Sequence, residues 1–306
     1  MTWILFLEQC LNGLQFGLML FLLVAGLTLI FGIMDVINLA HGSLYMVGAY
    51  LVATLTQATG SFLAAVPLGL AATAVIGMAV EVLVLRGLYK RDHLSQVLAT
   101  FALILIANET TRAIWGLQAL TLNVPQALSG SVELLPGLHY SAFRLAIIAV
   151  GLVVAAVLYY VVVRTRVGML VRAGASNRQM ATAMGTNIKW LFTAVFGAGA
   201  ALCALAGAML SPLLVVQVGM GESILILAFV TVVIGGIGSM RGAFIGALLV
   251  GIMDTFGRAF IPPVLKTVLP PALADAAGPS LAAISIYLLM VIVLFWKPQG
   301  LFPAGS

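Results

Sequence analysis

Long apolar runs separated by short polar segments dominate the pattern along this chain. The runs approach the roughly 20 residues that a helix needs to cross a bilayer, and they lack the every-second-residue alternation of barrel strands. The pattern therefore predicts an all-α integral membrane protein, a polytopic bundle of about nine helices with bounds of about eight to ten. The predicted spans are Leu11–Gly32, Leu44–Thr56, Ser61–Leu85, Leu94–Arg112, Ala142–Val163, Trp190–Leu210, Ser223–Gly236, Gly242–Phe260 and Leu281–Trp296.

One interval between these runs, residues 164–189, is long, polar and basic, and it contains no acid. Its centre, Ala173 to Met184, has small and unbranched residues that favour a helix, and Gly185 supplies a C-terminal stop. Two interpretations are open at this point. The segment is either a solvated basic loop or a docking helix offered to a soluble cytoplasmic partner.

Composition supports the membrane assignment and excludes several kinds of site. The chain is 63% hydrophobic and 8% charged, whereas soluble domains have about 25% charged residues. The net charge of +5 is spread over the loops, so it does not indicate a nucleic-acid partner. The cysteines and histidines lack disulfide or metal-ligand spacing, and no phosphate-binding loop motif occurs. We therefore expect no cofactor, no metal and a single transmembrane domain over residues 1–306.

The distribution of basic residues predicts the orientation. With the spans alternating and residues 164–189 in the cytoplasm, ten of the 14 Lys and Arg residues fall inside. The inside set is Arg86, Lys90, Arg91, Arg164, Arg166, Arg172, Arg178, Lys189, Arg241 and Lys297. We expect a multi-pass protein of the inner (plasma) membrane with a cytoplasmic C-terminus, and an external N-terminus if there are nine spans.

Two apolar segments are interrupted. Gly32–Gly48 contains Asp35, Asn38 and His41, and interruptions of this kind are tolerated beside protein or water. A translocation path through Asn38, His41 and Gly42, and a position at the lipid–water boundary, are both open interpretations. In the second segment, Gly235–Gly246, the glycines fall four residues apart, which favours close helix packing. These packing glycines are Gly238, Gly242 and Gly246.

Three acids near span ends are candidates for proton coupling or for boundary roles. Glu109 and Asp254 have basic or polar neighbours within hydrogen-bond reach, which favours a position near a membrane face over a proton relay. Glu81 precedes Arg86 by a little more than one turn and is interpreted as a boundary residue whose carboxylate reaches the interface.

Three motifs resemble those of the permeases of branched-chain amino acid ABC importers. Gly26–Leu51 contains G-L-x-L-x-F-G, then N-L-A-H-G, then G-A-Y. Arg172–Ile188 resembles the cytoplasmic loop of this family, and Phe229–Gly251 its glycine-rich C-terminal motif. The matches come in family order, and the length is similar to that of the shorter, H-type permease of the pair.

The resemblance implies partners and a coupling role for the basic segment. The partners are a second homologous permease, two cytoplasmic ATPase subunits, an external solute-binding protein and the lipid bilayer. The segment would be the coupling helix that docks on an ATPase, although Met180-Ala181-Thr182 lacks the glutamate of the related E-A-A-x-x-x-G motif. The implied coupling residues are Arg172, Ala173, Ser176, Asn177, Ala181, Ala183 and Gly185.

The sequence leaves alternatives open for the transported substrate and for the class of protein. Permeases of this kind carry branched-chain amino acids, and relatives carry other amino acids, amides, urea or aromatic acids. A proton-coupled secondary transporter working alone is a second hypothesis. A membrane enzyme is a third, and the sequence offers it no clustered catalytic triad, metal site or carboxylate pair.

Overall fold

A computed structural model describes residues 3–34, 36, 38–89 and 91–302. Asp35 and Lys90, which contributed to the predictions above, lie outside the described residues. Each predicted apolar run forms a helix. In chain order the elements are α1 (Trp3–Met34), α2 (His41–Thr59), α3 (Phe62–Val80), a π-helical turn (Glu81–Leu85), α4 (Arg86–Leu88), α5 (His93–Trp115), a 3₁₀ turn (Gln126–Leu128), β1 (Ser131–Leu135), β2 (Leu138–Ser141), α6 (Ala142–Arg164), α7 (Arg166–Ser176), α8 (Arg178–Ala183), α9 (Ile188–Leu210), α10 (Met220–Gly235), α11 (Met240–Leu265) and α12 (Pro271–Trp296).

Seven of the described helical segments are long and apolar enough to cross a membrane. Six are single helices, and the seventh runs from Phe62 through the π-helical turn to Leu88. The predicted number of about nine also counted α2 and α10. α10 has 16 residues, a length of about 24 Å at 1.5 Å per residue, which is below the roughly 30 Å hydrocarbon thickness. α2 has 19 residues but is less apolar, with polar residues at both of its ends.

Two helices form the centre of the bundle. In α1 and α9, 78% and 83% of the most apolar window is buried, against 17% in α5 and α6. The helix α1 is apolar around its whole circumference, which is typical of a helix buried on all sides. It packs against α11, α9, α6 and α10. The outer helices keep large apolar faces exposed, as lipid contact requires.

Small residues allow the central helices to approach closely. A Cβ atom added at Gly13 would lie 2.9 Å from the Cα of Ile252, and one added at Gly17 would lie 2.9 Å from the carbonyl oxygen of Ala247. This G-x-x-x-G pair in α1 therefore packs against α11. Larger side chains at either glycine would push the two backbones apart.

The proline-rich sequence between the last two predicted spans, Ile261–Pro279, is largely helical. α11 continues to Leu265, and α12 begins at Pro271, where a proline fits because the first-turn N–H groups have no intrahelical acceptor. An ion pair of 2.8 Å between Lys266 and Asp275 joins the two ends. A β-hairpin, β1 with β2, occupies part of the segment between α5 and α6.

Candidate functional site

The basic segment folds as two short helices rather than the single predicted helix. Asn177 has extended backbone angles, φ −153° and ψ 101°, so it separates α7 from α8. Its side-chain oxygen accepts the N–H of Met180 at 2.9 Å and caps α8. Asn is among the preferred N-cap residues because its oxygen satisfies a first-turn donor. The helix predicted over Ala173–Met184 is therefore broken at Asn177.

Gly185 ends α8 in the left-handed conformation, with φ +87°. The N–H of Gly185 binds the carbonyl of Thr182, and the N–H of Thr186 binds the carbonyl of Ala181, both at 3.0 Å. This is the Schellman arrangement that satisfies the last carbonyls of a helix. Asn187 then caps α9, accepting the N–H of Trp190 at 3.2 Å. The segment thus has defined ends rather than the form of an open loop.

One face of the two helices packs on the bundle and the other is exposed. Val171, Gly174 and Ala181 are buried. The remaining residues of the predicted coupling set are exposed: Arg172, Ala173, Ser176, Asn177, Ala183 and Gly185. Met180 and Met184, which the sequence prediction did not include, are 61% and 82% exposed. Flexible methionines on a polar surface are typical of adaptable protein contacts.

The segment is electrostatically basic. Among the described residues, Arg166, Arg172, Arg178 and Lys189 form no ion pair with an acid. Arg172 donates to the carbonyl of Val162. The guanidinium of Arg178 lies 5.4 Å from the ring centroid of Phe192, a cation–π contact that ties α8 to α9.

Next to this contact lies a hydrogen-bonded group around Glu81, called the Glu81 cluster below: Glu81, Arg86, Tyr89 and Thr193. The Glu81 side chain is fully buried in the π-helical turn. Its carboxylate accepts from the hydroxyls of Tyr89 and Thr193, each at 2.6 Å, and from Arg86 at 3.1 Å. Arg86 also donates to Thr193 at 2.8 Å. Buried charges are retained when they are paired in this way.

The Glu81 cluster corrects the boundary interpretation of Glu81. The carboxylate is not exposed to water, because three side chains from α4, the following loop and α9 satisfy it inside the protein. Burial, and then the hydrogen bond to this carboxylate, raise the pKa of Tyr89 above its usual value, so the hydroxyl remains a donor. The Tyr89 ring packs edge-on against Phe192, with centroids 5.4 Å apart. The cluster therefore contacts Phe192, the residue with which Arg178 makes its cation–π contact.

The first interrupted segment is buried in the bundle. Asn38 and His41 are both fully buried. The Asn38 side-chain oxygen accepts the N–H of Ala40 at 3.1 Å. The Nε2 atom of His41 lies 2.9 Å from Cys203 Sγ and 3.3 Å from the Leu23 carbonyl. Asn38 Nδ2 and His41 Nδ1 have no hydrogen-bond partner among the described residues.

A cavity of about 330 Å³ lies between α2, α3, α5 and α9, and Asn38 lines it. Its other walls are mostly aliphatic, with hydroxyls from Ser43, Thr110 and Thr111. An apolar cavity with a few polar groups is the usual form of a small-molecule site. His41 and Gly42 do not line it. Gly42 instead lies against Gly221, where an added Cβ atom would meet the carbonyl oxygen.

The glycines of the second interrupted segment separate into two kinds. Gly242 and Gly246 lie in α11 against Gly235 and Thr231 of α10, with no room for a side chain. Gly238 is in the turn between these helices at φ +80°. A Cβ atom added at Gly32 would lie 3.4 Å from the Cα atom of Gly238.

The candidate proton-coupling acids are paired with bases on their own helices. Glu109 lies 2.9 Å from Arg112, and Asp254 lies 2.9 Å from Arg258. Neither acid lines the cavity that contains Asn38. No group of three His, Cys, Asp or Glu among the described residues has metal-site geometry.

Residues 9–294 match the family described as the permease component of the branched-chain amino acid transport system. The chain belongs to this permease family. The match extends over all the described helices that form the bundle, apart from a few terminal residues of α1 and α12. It confirms the family resemblance of the three sequence motifs.

Curated relatives cover nearly the same length. The chain is 28% identical to the high-affinity branched-chain amino acid transport system permease protein BraD of Pseudomonas aeruginosa, over 97% of this chain and 95% of that protein. It is also 28% identical to the permease protein LivH of Escherichia coli K12, with the same coverage. A probable LivH of Methanocaldococcus jannaschii is 28% identical over 78% of this chain and 76% of that protein. No solved structure matches the chain.

Proposed function

We propose that this chain is the H-type permease subunit of an ATP-driven importer and forms half of a translocation path for branched-chain amino acids. The observation that carries the proposal is the family match over residues 9–294. The proposed partners are a second homologous permease, two cytoplasmic ATPase subunits and an external solute-binding protein. The chain itself is a transport subunit, and ATP hydrolysis belongs to the ATPases.

The exposed face of α7 and α8 is the proposed docking surface for an ATPase. Its capped helix ends, unpaired basic residues and exposed Met180 and Met184 support this assignment. The coupling residues are Arg172, Ala173, Ser176, Asn177, Ala183 and Gly185 on the exposed side, with Ala181 packing the helix on the bundle. A rigid docked element moves as a unit, so closure of the ATPases would displace α8 and with it α9.

The Glu81 cluster is the proposed link between that movement and the spans. Arg178 of α8 contacts Phe192, and Thr193, the next residue of α9, binds the carboxylate of the π-helical turn that continues α3. Because a buried, hydrogen-bonded connection of this kind is rigid, a displacement of α9 would also displace the π-helical turn. π-Helical turns are frequent at functional positions, which also supports the assignment.

The solute path is proposed to include the cavity that Asn38 lines. Its aliphatic walls suit a leucine, isoleucine or valine side chain, and its hydroxyls and the Asn38 amide suit the polar end of an amino acid. His41 and Gly42 hold the loop before α2 against α1, α9 and α10. In this arrangement the protein lies in the inner membrane, with residues 164–189 and the C-terminus in the cytoplasm.

Purification from the native membrane tests this proposal. The tagged chain is expected to bring down a second permease and two ATPases, and ATP hydrolysis should rise when a leucine-loaded binding protein is added. A panel of aliphatic amino acids, urea, amides and aromatic acids on that binding protein identifies the solute. A chain that purifies alone and transports in ATP-free proteoliposomes along a proton gradient would contradict the importer assignment.

A further inference from the structure

A second cavity lies beside the Glu81 cluster, on the outer side of the bundle and separate from the proposed solute path. Its volume is about 370 Å³, and it opens between the π-helical turn and the first turns of α9. Four of its six lining residues have polar or basic side chains, and apolar groups supply the larger part of its lining surface. The lining residues are Val82, Arg86, Asn187, Lys189, Trp190 and Thr193.

The cavity presents donors and cations. Arg86 uses Nε and Nη2 to bind Glu81 and Thr193, and its Nη1 atom makes no hydrogen bond among the described residues. The side-chain nitrogens of Asn187, Lys189 and Trp190 have no described hydrogen-bond acceptor either. Glu81 offsets only the Arg86 charge, so the positive charge of Lys189 remains. Such a set suits an anion with several acceptor oxygens.

The position of the cavity indicates where that anion comes from. Asn187 caps α9 at the start of one candidate span, and Arg86 lies at the end of another, so the cavity is at a membrane boundary. Trp190 is 70% exposed, and the neighbouring apolar side chains of Val82 and Leu83 are also exposed. Tryptophan and basic residues are typical of the level at which lipid headgroups lie.

We propose that this cavity binds the phosphate headgroup of an anionic phospholipid, with the acyl chains along Val82, Leu83 and Trp190. Basic cavities between spans suit lipid headgroups, because the phosphate pairs with Arg and Lys while the acyl chains stay in the hydrocarbon region. The apolar rim favours a lipid over an acidic side chain of a soluble partner. The proposal needs only that these helices span a membrane, and it holds whichever solute is carried.

A bound headgroup would act on the proposed coupling region. Asn187 and Lys189 lie at the start of α9, a few residues after α8, and Arg86 and Thr193 belong to the Glu81 cluster. A bound headgroup would neutralise Lys189 and hold the start of α9 against the π-helical turn. Anionic lipid is therefore expected to stabilise the contact between α8 and α9.

Equilibrium binding of fluorescent phosphatidylglycerol tests the proposal. The full chain, with whatever subunits co-purify, is placed in phosphatidylcholine nanodiscs containing the labelled lipid. Lys189→Gln is expected to weaken the apparent affinity about fivefold, the value for one basic residue at a membrane surface. Lys189→Arg should retain the affinity, which separates loss of charge from misfolding. Lys297→Gln, a basic residue predicted on the same side but outside the cavity, is the matched control.

Three outcomes would overturn the assignment. Equal phosphatidylglycerol affinity in Lys189→Gln and Lys297→Gln would exclude a headgroup at this cavity. Saturable binding of inorganic phosphate that Lys189→Gln abolishes, without any preference for phosphatidylglycerol, would identify a free anion as the ligand. Loss of a co-purifying ATPase in Lys189→Gln with unchanged lipid affinity would identify a protein partner. Absence of ATPases from the wild-type preparation would contradict the importer assignment alone.

Discussion

At the scale of single residues, Glu81 is the charged group whose environment decides its role. Its carboxylate is buried and receives hydrogen bonds from three residues, one of which, Thr193, belongs to a different long helix, α9. Asp254 is also a buried acid, but its described partner Arg258 is one turn away on the same helix. The two acids therefore differ in what they connect rather than in how deeply they are buried.

This difference predicts distinct effects of removing the charge. Glu81→Gln is expected to lower the free energy of unfolding by about 2 kcal/mol, because charge-assisted hydrogen bonds are replaced by neutral ones. It should also lower the amount of solute transported per ATP hydrolysed, because the link between α9 and the π-helical turn is weakened. The measurements are thermal unfolding and the ratio of uptake to hydrolysis in proteoliposomes.

Asp254→Asn is the matched control for Glu81→Gln, since it also removes a buried carboxylate. We expect it to lower stability without changing the ratio of uptake to hydrolysis. An unchanged ratio in Glu81→Gln, or an equal fall in both variants, would contradict a coupling role for the Glu81 cluster and leave it a purely structural one.

At the scale of elements, the basic segment depends on the residues that end its helices. Gly185 has a positive φ and open space around it. Gly60, which ends α2 at φ +70°, has the same two properties. A Cβ atom in the left-handed region costs about 1–2 kcal/mol, so Leu should strain the two sites similarly.

Gly185→Leu is expected to reduce solute-driven ATP hydrolysis and uptake several-fold while membrane insertion stays normal. The reason is that the Schellman end of α8 is distorted and a large side chain enters the proposed docking surface. Gly60→Leu should change stability to a similar extent and leave coupling intact. The test compares both variants for ATPase co-purification and uptake. Normal uptake in Gly185→Leu would count against docking by α8.

Sequence reasoning identified this segment but not its internal break. The end of α8 at Gly185 could be predicted, because glycine adopts the left-handed conformation that often ends a helix. The break at Asn177 results from competition between two conformations, because an Asn can lie within a helix or cap the next one. Burial of Val171, Gly174 and Ala181 on the bundle favours the second, and that packing is invisible in the linear pattern.

At the scale of the whole molecule, the apolar pattern predicted the helices better than the spans. Hydropathy located α2 and α10. Their bounds depend on the neighbouring loops, because α2 begins at His41, after the loop that contains Asn38, and α10 ends at Gly235, before the turn that contains Gly236. The Glu81 cluster could not be predicted, because it joins residues more than a hundred positions apart. The cavity at Asn38 likewise depends on how α2, α3 and α5 pack together and on Phe196 of the distant α9.

That cavity gives the last prediction. Asn38 lines it, and its Nδ2 atom has no described hydrogen-bond partner, so the amide is available to an entering solute. Asn38→Leu keeps the approximate volume and removes the donor. If the amide binds the polar end of an amino acid, the KM for leucine uptake should rise about tenfold, which corresponds to one lost hydrogen bond. Uptake by proteoliposomes containing the full transporter is the measurement.

Thr28 provides the control, because its hydroxyl is also buried without a described partner but does not line the cavity. Thr28→Val replaces the hydroxyl with a methyl group of the same shape and should leave the KM for leucine unchanged. Each substitution removes one buried polar atom that lacks a described partner, and Asn38→Leu also removes the acceptor of the Ala40 N–H. A rise in KM confined to Asn38→Leu, at a thermal stability equal to that of Thr28→Val, separates contact with the solute from a change in packing. Equal KM values in the two variants would place the solute path elsewhere in the bundle.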